Sequence, residues 1–436
     1  SSLQANSGPV RPKPVMTSSA TKRMSSSLQT ARIAAHPTDP LDQIARRSRR
    51  VREHPELADP QAAAAAHRRL RELLDGPLPL LEEDPQDPAR QIVTFLYEDD
   101  EAEQVLLFAN RLTDESALGA TLMHRLGPDG PWHASFRMRR TWRASYCFIP
   151  ARPGAPAPWI SAQDHVQLRA ALDAGVPDPR NALTCPNRDG RALSVVELAD
   201  APRQPYVFAP ADETQLVWHA APEEHRVALH RSAGADSQSP VILIFDGEVW
   251  ARHGLIGAVE QAVRAGDLAP VHLVLLDSGG RERRWRELDG TEPIHRYVAE
   301  ALLPWLRAEH GLDPAPARTC AVGQSLGGLA SLLCGLLAPR VVGAVVSQSA
   351  SLWQEAPARA LAELLERDGA QALADSRFVL EVGDQEWVLT GPHDDFAREL
   401  RRSPARVEYL RYDGGHDYAC WRGSLIPALV RLYPAD

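Results

Sequence analysis

Six short and nearly continuous apolar runs in the second half of the chain constrain the fold most strongly. Each is rich in valine, leucine, isoleucine or alanine, and they occupy residues 241–248, 271–277, 318–325, 341–349, 377–383 and 406–412. Strands buried on both faces have this pattern, and such strands belong to parallel sheets. Helical segments separate the runs, for example residues 294–311. The alternation predicts an α/β domain with a mostly parallel, doubly wound sheet.

The first half of the chain has a different pattern. Residues 91–99 and 104–112 are apolar and aromatic runs separated by acidic residues, and they predict a β-hairpin. Further alternating strands are expected up to about residue 150, giving a small all-β module. A stretch rich in proline and glycine follows from residue 151, and it predicts a connecting segment that lies along the surface.

With 436 residues, the chain is too long for one ordinary domain. Residues 1–38 are rich in serine, threonine and basic residues and are expected to form a disordered leader. We assign residues 39–200 to an N-terminal domain that begins with a helical segment at 40–75. Residues 201–436 are assigned to an α/β-hydrolase catalytic domain.

Charge and cysteine content narrow the class of protein. The formal net charge of −9 argues against a general nucleic-acid binder. No stretch has the length of a transmembrane span, so we expect no membrane insertion. The five cysteines show neither a CxxC pair nor a metal-binding spacing, which fits reduced thiols in the cytoplasm. We expect a monomer with no metal site.

Ser325 is the candidate nucleophile. It lies in Gly-Gln-Ser-Leu-Gly, between an apolar run and a helix of small residues, which matches the nucleophile elbow of hydrolases. Glycines on both sides let neighbouring segments approach closely, and a helix that begins there directs its N–H groups at a developing oxyanion. The alternative is a tight turn with an uninvolved serine.

A nucleophilic serine needs a base, and in this architecture the histidine follows the serine in the chain. His393 and His416 are the histidines after Ser325. His416 lies in a loop with two preceding glycines, which free the backbone to direct the ring inward, so we predict that it is the base. His393 has polar neighbours and is predicted to be a solvated loop histidine.

The third catalytic residue and the oxyanion donors are less well defined. Glu381, Asp384 and Glu386 surround the end of a predicted strand, and the pattern alone does not separate them. The backbone N–H of Leu326 is one expected oxyanion donor, and that of Gly247 or Glu248 is the other. Asp246 is expected to brace that loop, although an ordinary Asp-Gly turn would have the same sequence.

Several motifs together resemble the enterochelin (ferric enterobactin) esterase family. They are GQSLGGLAS, DGEVW, RRWREL, SQSASLW and DGGHDYACWRGSL, joined by an N-terminal region from VTFLYEDDEAEQVLLFANRL to WHASFRMRRTWRASYCFIP. The resemblance runs from about residue 90 to the end. It implies hydrolysis of the serine trilactone of tricatecholate siderophores, including the ferric form, so that iron is released. It also implies Ser325 as nucleophile, His416 as base and Glu386, rather than Asp384, as acid. No cofactor is implied, since iron belongs to the substrate.

A ferric tricatecholate is anionic, so its site should be cationic. Arginines of the segment RERRWREL are expected to form a loop after a strand end, where ligands of α/β proteins bind. Arginine planes and aromatic rings suit catechol faces. The expected substrate-binding residues are Arg284, Arg286, Trp250, Arg252, Trp353, Trp421 and Arg422. The alternative for the arginine segment is a solvated helix face paired with Glu282 and Glu287.

Two other functions fit the sequence. A general carboxylesterase or acyltransferase acting on other aromatic esters would have the same catalytic residues. A non-catalytic siderophore-binding protein on a hydrolase scaffold would bind the ferric complex without turnover, although an intact serine and histidine argue against it.

Overall fold

The computed structural model describes residues 75–115, 117–125, 130–367 and 369–436. The predicted leader and the predicted helical segment before residue 75 lie outside this part of the chain.

Eight strands form the N-terminal part of the described chain, as two antiparallel sheets of four strands each. In chain order the strands are β1 (Leu80–Glu83), β2 (Arg90–Tyr97), β3 (Gln104–Ala109), β4 (His124–Arg125), β5 (Trp132–Arg139), β6 (Arg143–Ala151), β7 (Thr184–Pro186) and β8 (Ala192–Glu197). The sheet orders are β1-β2-β5-β4 and β3-β6-β8-β7. Aromatic side chains pack between the sheets, and the rings of Phe95 and Tyr146 meet edge to face at 4.9 Å.

The predicted hairpin of residues 91–99 and 104–112 is wrong. The first run forms β2, which pairs with β1 and β5, whereas the second forms β3, which pairs with β6. Both strands are almost entirely buried, so each needs partners in its own sheet and faces the other sheet across the core. The ring of Tyr97 stacks on that of Phe148 at 4.7 Å in this core.

The predicted connecting segment after residue 150 is also wrong. It contains α1 (Pro158–Ser161) and α2 (His165–Asp173), followed by β7 and β8, which complete the second sheet. Leu168 and Leu172 of α2 pack against the apolar side chains of β3 and β6. The apolar run of β8 lies between proline- and glycine-rich turns that conceal it in the sequence.

The large sheet has eight strands. They are β9 (Trp218–Ala221), β10 (His225–Arg231), β11 (Val241–Ile244), β12 (His272–Leu276), β13 (Thr319–Gln324), β14 (Ala344–Gln348), β15 (Arg377–Gly383) and β16 (Arg406–Tyr412). Their order is β16-β15-β14-β13-β11-β12-β10-β9, and the six strands from β11 onward are parallel. These six are the predicted apolar runs, and the predicted α/β class is confirmed.

Helices cover both faces of this sheet. They are α3 (Gly247–His253), α4 (Leu255–Arg264), α5 (Arg281–Leu288), α6 (Ile294–Arg296), α7 (Leu303–His310), α8 (Leu326–Leu337), α9 (Ala356–Glu366), α10 (Trp387–Leu400) and α11 (Tyr418–Leu432), with a π-helical stretch Tyr297–Leu302 between α6 and α7. Helices α3, α4 and α11 share one core with the sheet, and α5 to α10 lie on the opposite face. Short 3₁₀ turns occupy Leu118–Thr121, Glu213–Gln215, Pro222–Glu224, Pro316–Arg318 and Gly369–Leu373.

The parallel strands place the carboxyl ends of β11, β13, β15 and β16 at one edge of the sheet, where ligands of such folds bind. Among the described residues, no helix is long and apolar enough to cross a membrane.

Candidate active site

Ser325 occupies a strained turn between β13 and α8. Its φ and ψ are 57° and −121°, a combination that costs a non-glycine residue about 1–3 kcal/mol. A Cβ on Gly323 would lie 2.1 Å from the carbonyl oxygen of Gly327, so the turn requires glycine there. The N–H of Ser325 donates to the carbonyl oxygen of Gln348, and that of Ser351 donates to the carbonyl oxygen of Ser325. The surrounding backbone therefore holds the strained conformation.

Two helix N-termini lie beside this turn. Leu326 begins α8 and Gly247 begins α3, and the first N–H groups of a helix have no partner within it. Their strands, β13 and β11, are neighbours. A Cβ on Gly327 would lie 3.1 Å from the Cβ of Phe245, which shows how closely the two turns approach. This placement suits both predicted oxyanion donors.

His416 and Glu386 form a hydrogen-bonded pair. The Nδ1 atom of His416, in the loop after β16, lies 2.6 Å from Oε1 of Glu386, which precedes α10. The other carboxylate oxygen, Oε2, accepts from the hydroxyl of Ser349 at 2.6 Å and from the N–H of Gly383 at 2.7 Å. The Glu386 side chain is buried, so these donors fix its position.

The pKa of Glu386 reflects these contacts. Burial by itself raises the pKa, but the hydrogen bond and charge of His416, the charge of Arg111 and the Ser349 hydrogen bond together lower it to about 2. The carboxylate is therefore ionised at neutral pH and can stabilise a positive charge on the imidazole.

The other two candidate acids have different partners. Asp384 pairs with Arg411 at 2.8 Å and is partly exposed. Glu381 is buried and accepts from Ser424 at 2.6 Å and from Gln348 at 2.7 Å. The structure thus brings Glu386, and neither of these, to His416.

His393 is not a solvated loop histidine, and that prediction is wrong. It lies within α10, is 1% exposed, and its Nδ1 atom is 2.8 Å from the carbonyl oxygen of Leu389. The buried face of α10 also includes Phe396 and Leu400, at helical spacing from His393. Pro392 inside the helix makes this segment resemble a loop in the sequence.

Residues of the N-terminal sheets pack against the His416 loop. The side-chain amide of Asn110 donates to the carbonyl oxygen of His416 at 2.8 Å, and the N–H and hydroxyl of Ser145 both donate to Asp417 at 2.6 Å. A Cβ on Gly415 would lie 2.3 Å from Cγ of Arg111. Gly415 is therefore needed for this close contact between the two parts of the chain.

A cavity of about 280 Å³ contains Ser325 and His416. Five arginines line it, namely Arg111, Arg169, Arg188, Arg281 and Arg284, together with three aspartates, Asp173, Asp189 and Asp417. Trp285 lies on the wall with 49% of its surface exposed. Arginine is therefore the most frequent residue of the cavity lining, although the whole chain is acidic.

Three of these arginines were missed by the sequence reasoning. Arg111 follows β3, Arg169 lies on α2, and Arg188 lies between β7 and β8. Each is separated from Ser325 by more than a hundred residues of sequence, and only the packing of the N-terminal sheets on the hydrolase sheet brings them together. No local pattern signals such a position.

Of the seven predicted substrate-binding residues, Arg284 and Trp421 line the cavity. Trp421 packs its ring edge to face against His416, with 4.8 Å between ring centroids, and its Nε1 donates to Ser349 at 3.0 Å. It therefore supports the catalytic histidine as well as forming part of the wall.

Trp250 and Arg422 do not face the cavity, and their prediction as substrate-binding residues is wrong. Trp250 is fully buried under the sheet edge, where its Nε1 donates to Oε1 of Gln324 at 2.7 Å. Arg422 is buried on α11 and donates to the carbonyl oxygen of Thr184 at 3.1 Å. Both residues follow a catalytic loop closely in the sequence, but each lies on a helix face that is buried in the protein interior.

Arg252, Trp353 and Arg286 also lie outside the cavity lining, contrary to prediction. Arg252 is 3.5 Å from Glu213, and Trp353 packs behind Trp285 with 5.9 Å between ring centroids. Arg286 is exposed on the far side of α5.

The segment RERRWREL is a helix, not the predicted loop. Arg281, Arg284 and Trp285 lie on the face of α5 that lines the cavity, at the spacing that places residues on one side of a helix. Arg283 instead pairs with Glu287 at 2.6 Å on another face. The two interpretations of this segment, ligand site and solvated ion pairs, are thus both partly correct.

Comparison with known proteins matches both halves of the chain. The family model of the enterochelin esterase N-terminal domain matches residues 92–207, and the Esterase family model matches residues 220–432. The chain is 30% identical over 332 residues to an iron(III) enterobactin esterase of Escherichia coli O6:H1 (strain CFT073), covering 71% of this chain and 81% of that protein. It belongs to the enterochelin esterase family.

Other members of the family support the same assignment. An iron(III) salmochelin esterase of the same Escherichia coli strain is 30% identical over 366 residues, covering 78% of this chain and 87% of that protein. A crystal structure of the enterobactin esterase of Shigella flexneri in the presence of enterobactin is 26% identical, with a TM-score of 0.67 over 81% of this chain and 96% of that one. The resemblance found in the sequence is confirmed, and the chain is an ester hydrolase.

Proposed function

We propose that this chain is a serine esterase that hydrolyses the trilactone of a tricatecholate siderophore, in its ferric form, to release iron. One observation carries the proposal: Ser325 and His416, whose ring is hydrogen-bonded to Glu386, line a single cavity together with five arginines. Relatives that are named for enterobactin and salmochelin hydrolysis support the choice of substrate.

The reaction follows from the positions of the side chains. His416 removes the proton from Ser325 as the serine oxygen attacks a lactone carbonyl, while Glu386 holds Nδ1–H and stabilises the imidazolium. The oxyanion accepts hydrogen bonds from the N–H groups of Leu326 and Gly247. The C–O bond of the lactone then breaks, His416 protonates the departing seryl oxygen to give a hydroxyl, and the ring opens. Water, activated by the same histidine, hydrolyses the acyl-enzyme and releases a carboxylate.

The cavity walls match the charge and shape of this substrate. Five arginine side chains line the cavity, and guanidinium groups bind catecholate oxygens through charge-assisted hydrogen bonds. The exposed ring of Trp285 offers an aromatic face to a catechol. Because the substrate supplies the iron, the proposed reaction uses no resident metal or cofactor.

We also propose that the protein is a cytoplasmic monomer that binds neither nucleic acid nor membrane. The five cysteines are all unpaired and buried in the structure, which is compatible with a reducing compartment.

The Ser325→Ala variant tests the proposal, with Ser237→Ala at an exposed position as its control. The wild type and the control should open both the iron-free and the ferric trilactone, and the Ser325 variant should lose at least about 10⁴-fold in kcat. Mass spectrometry identifies the products. Retained hydrolysis by the Ser325 variant would contradict the mechanism. A wild type that prefers simple aryl esters would indicate a general carboxylesterase, and tight binding without turnover would indicate a binding protein.

A further inference from the structure

The turn that carries Gly247 is held by a buried ionic cluster. Asp246 lies between β11 and α3 with a φ of 55°, in the left-handed region, and its side chain is 2% exposed. Its Oδ1 atom accepts from Nε of Arg284 at 2.7 Å and from Arg188 at 3.0 Å, and its Oδ2 atom accepts from Arg284 at 3.0 Å. These contacts hold the aspartate in a backbone region that few residues other than glycine adopt.

The two arginines come from different parts of the fold. Arg284 lies on α5 of the hydrolase domain, whereas Arg188 lies in the loop between β7 and β8 of the N-terminal sheets. Arg188 also donates to the hydroxyl of Ser278 at 3.3 Å, and the N–H of Ser278 donates to Glu248 at 2.9 Å. Contacts from both domains therefore converge on residues 246–248.

The same turn packs closely against the sheet and against the helix that follows the nucleophile. A Cβ on Gly247 would lie 2.5 Å from the backbone of Leu275, and a Cβ on Gly327 would lie 3.4 Å from Oδ2 of Asp246. Burial alone raises the pKa of Asp246, but Arg284 and Arg188 hold it well below its usual range. The carboxylate is thus ionised and its position is fixed by charge-assisted hydrogen bonds.

We propose that Asp246 is a positioning residue for the oxyanion site: by binding Arg188 and Arg284 it fixes the turn that presents the Gly247 N–H beside Ser325. The N-terminal domain thereby takes part in the chemistry, because Arg188 is one of the two clamps. The inference rests on the proposed serine mechanism but not on the identity of the siderophore. The proposal also separates positioning of the turn by Asp246 from binding of the substrate by the arginines. Both arginines line the cavity and keep their charge when Asp246 is neutralised.

The test uses the full chain with Asp246→Asn, and Asp313→Asn as control. Asp313 forms a solvent-exposed ion pair with Arg307 at 3.0 Å. Activity is measured on p-nitrophenyl butyrate, a neutral ester, and on the ferric trilactone, and reactive serine is counted with a fluorophosphonate. The expected result is a fall in kcat per reactive serine of about 10²-fold on both substrates, the loss that a misplaced catalytic group causes. KM for the anionic trilactone should not rise, because two cationic groups are released.

A second variant protects the test against misfolding. Arg188→Met should lower kcat on the neutral ester. Adding it to Asp246→Asn should lower kcat by less than a further twofold, because both changes release the same turn. Unchanged kcat in Asp246→Asn, or fully multiplicative losses in the double variant, would overturn the proposal. If the trilactone is not a substrate, the proposed siderophore specificity fails while the neutral ester still tests Asp246.

Discussion

Replacing Glu386 by glutamine should abolish most of the esterase activity and leave the fold in place. Oε2 of Glu386 accepts hydrogen bonds from the Gly383 N–H and the Ser349 hydroxyl, and Oε1 accepts from His416. A glutamine has one oxygen, and each buried hydrogen bond contributes about 1 kcal/mol. Since the backbone N–H of Gly383 can only donate, the oxygen should remain on that side. The amide nitrogen then faces His416.

The consequence for catalysis is a change of tautomer. An amide N–H directed at Nδ1 makes that atom an acceptor, so the proton of His416 moves to the other ring nitrogen, which can then no longer accept the proton of Ser325. The corresponding change in the Ser-His-Asp template lowers kcat by about 10⁴-fold, or about 5.5 kcal/mol in activation free energy. We expect a loss of this size.

Asp384→Asn is the matched control. Asp384 is also an acidic residue near the end of β15, but it pairs with Arg411 and not with His416. Its variant should keep kcat within about twofold, because exposed ion pairs contribute little. The kcat of the Glu386→Gln and Asp384→Asn variants is measured on the trilactone at pH 8. Near-ultraviolet circular dichroism checks that both variants are folded. A Glu386→Gln variant that retains a tenth of the wild-type kcat, or an equal loss in Asp384→Asn, would refute the reasoning.

Three further substitutions test other parts of the structure. Burial raises the pKa of Glu381 to about 7, so the wild type should lose stability as the pH rises from about 4.5 to 7. In urea unfolding, the free energy of unfolding of Glu381→Gln should exceed that of the wild type by on the order of 3 kcal/mol at pH 8 and should equal it at pH 4. Trp250→Phe should lower stability by about 1–3 kcal/mol, because it leaves Oε1 of Gln324 unpaired, with KM unchanged. Arg111→Met should raise KM for the ferric trilactone about tenfold at low salt, and less at high salt.

Each of these expectations has a contradicting outcome. A pH-stability profile of Glu381→Gln parallel to that of the wild type would show that the pKa of this carboxyl is the same in the folded and unfolded states. A raised KM in Trp250→Phe would place that ring in the substrate site. For Arg111, the control is Arg264→Met on the exposed surface of α4; equal effects of the two changes would reduce the role of Arg111 to overall charge.

The architecture of the hydrolase domain could be predicted because its signals are local. The six parallel strands are apolar over their whole length, and such runs indicate strands whatever their partners are. The segment around Ser325 is equally local, since glycines, strand and helix lie within a dozen residues. By contrast, α10 was missed because Pro392 interrupts it, and the pairing of β2 and β3 was wrong because two sheets, not one, lie in the N-terminal part.

The sequence alone therefore determined the α/β class, the turn that holds Ser325 and the loop that holds His416. Tertiary structure decided which carboxylate meets the histidine: three acids lie within six residues, and the direction of each side chain depends on how α10 begins after β15. It also decided the arginine-rich wall, because Arg111 and Arg188 reach the cavity only when the N-terminal sheets pack on the hydrolase domain. The physical reason is distance along the chain. A turn is specified by its neighbours, whereas a contact such as that between Asn110 and His416 forms only when the two domains pack together.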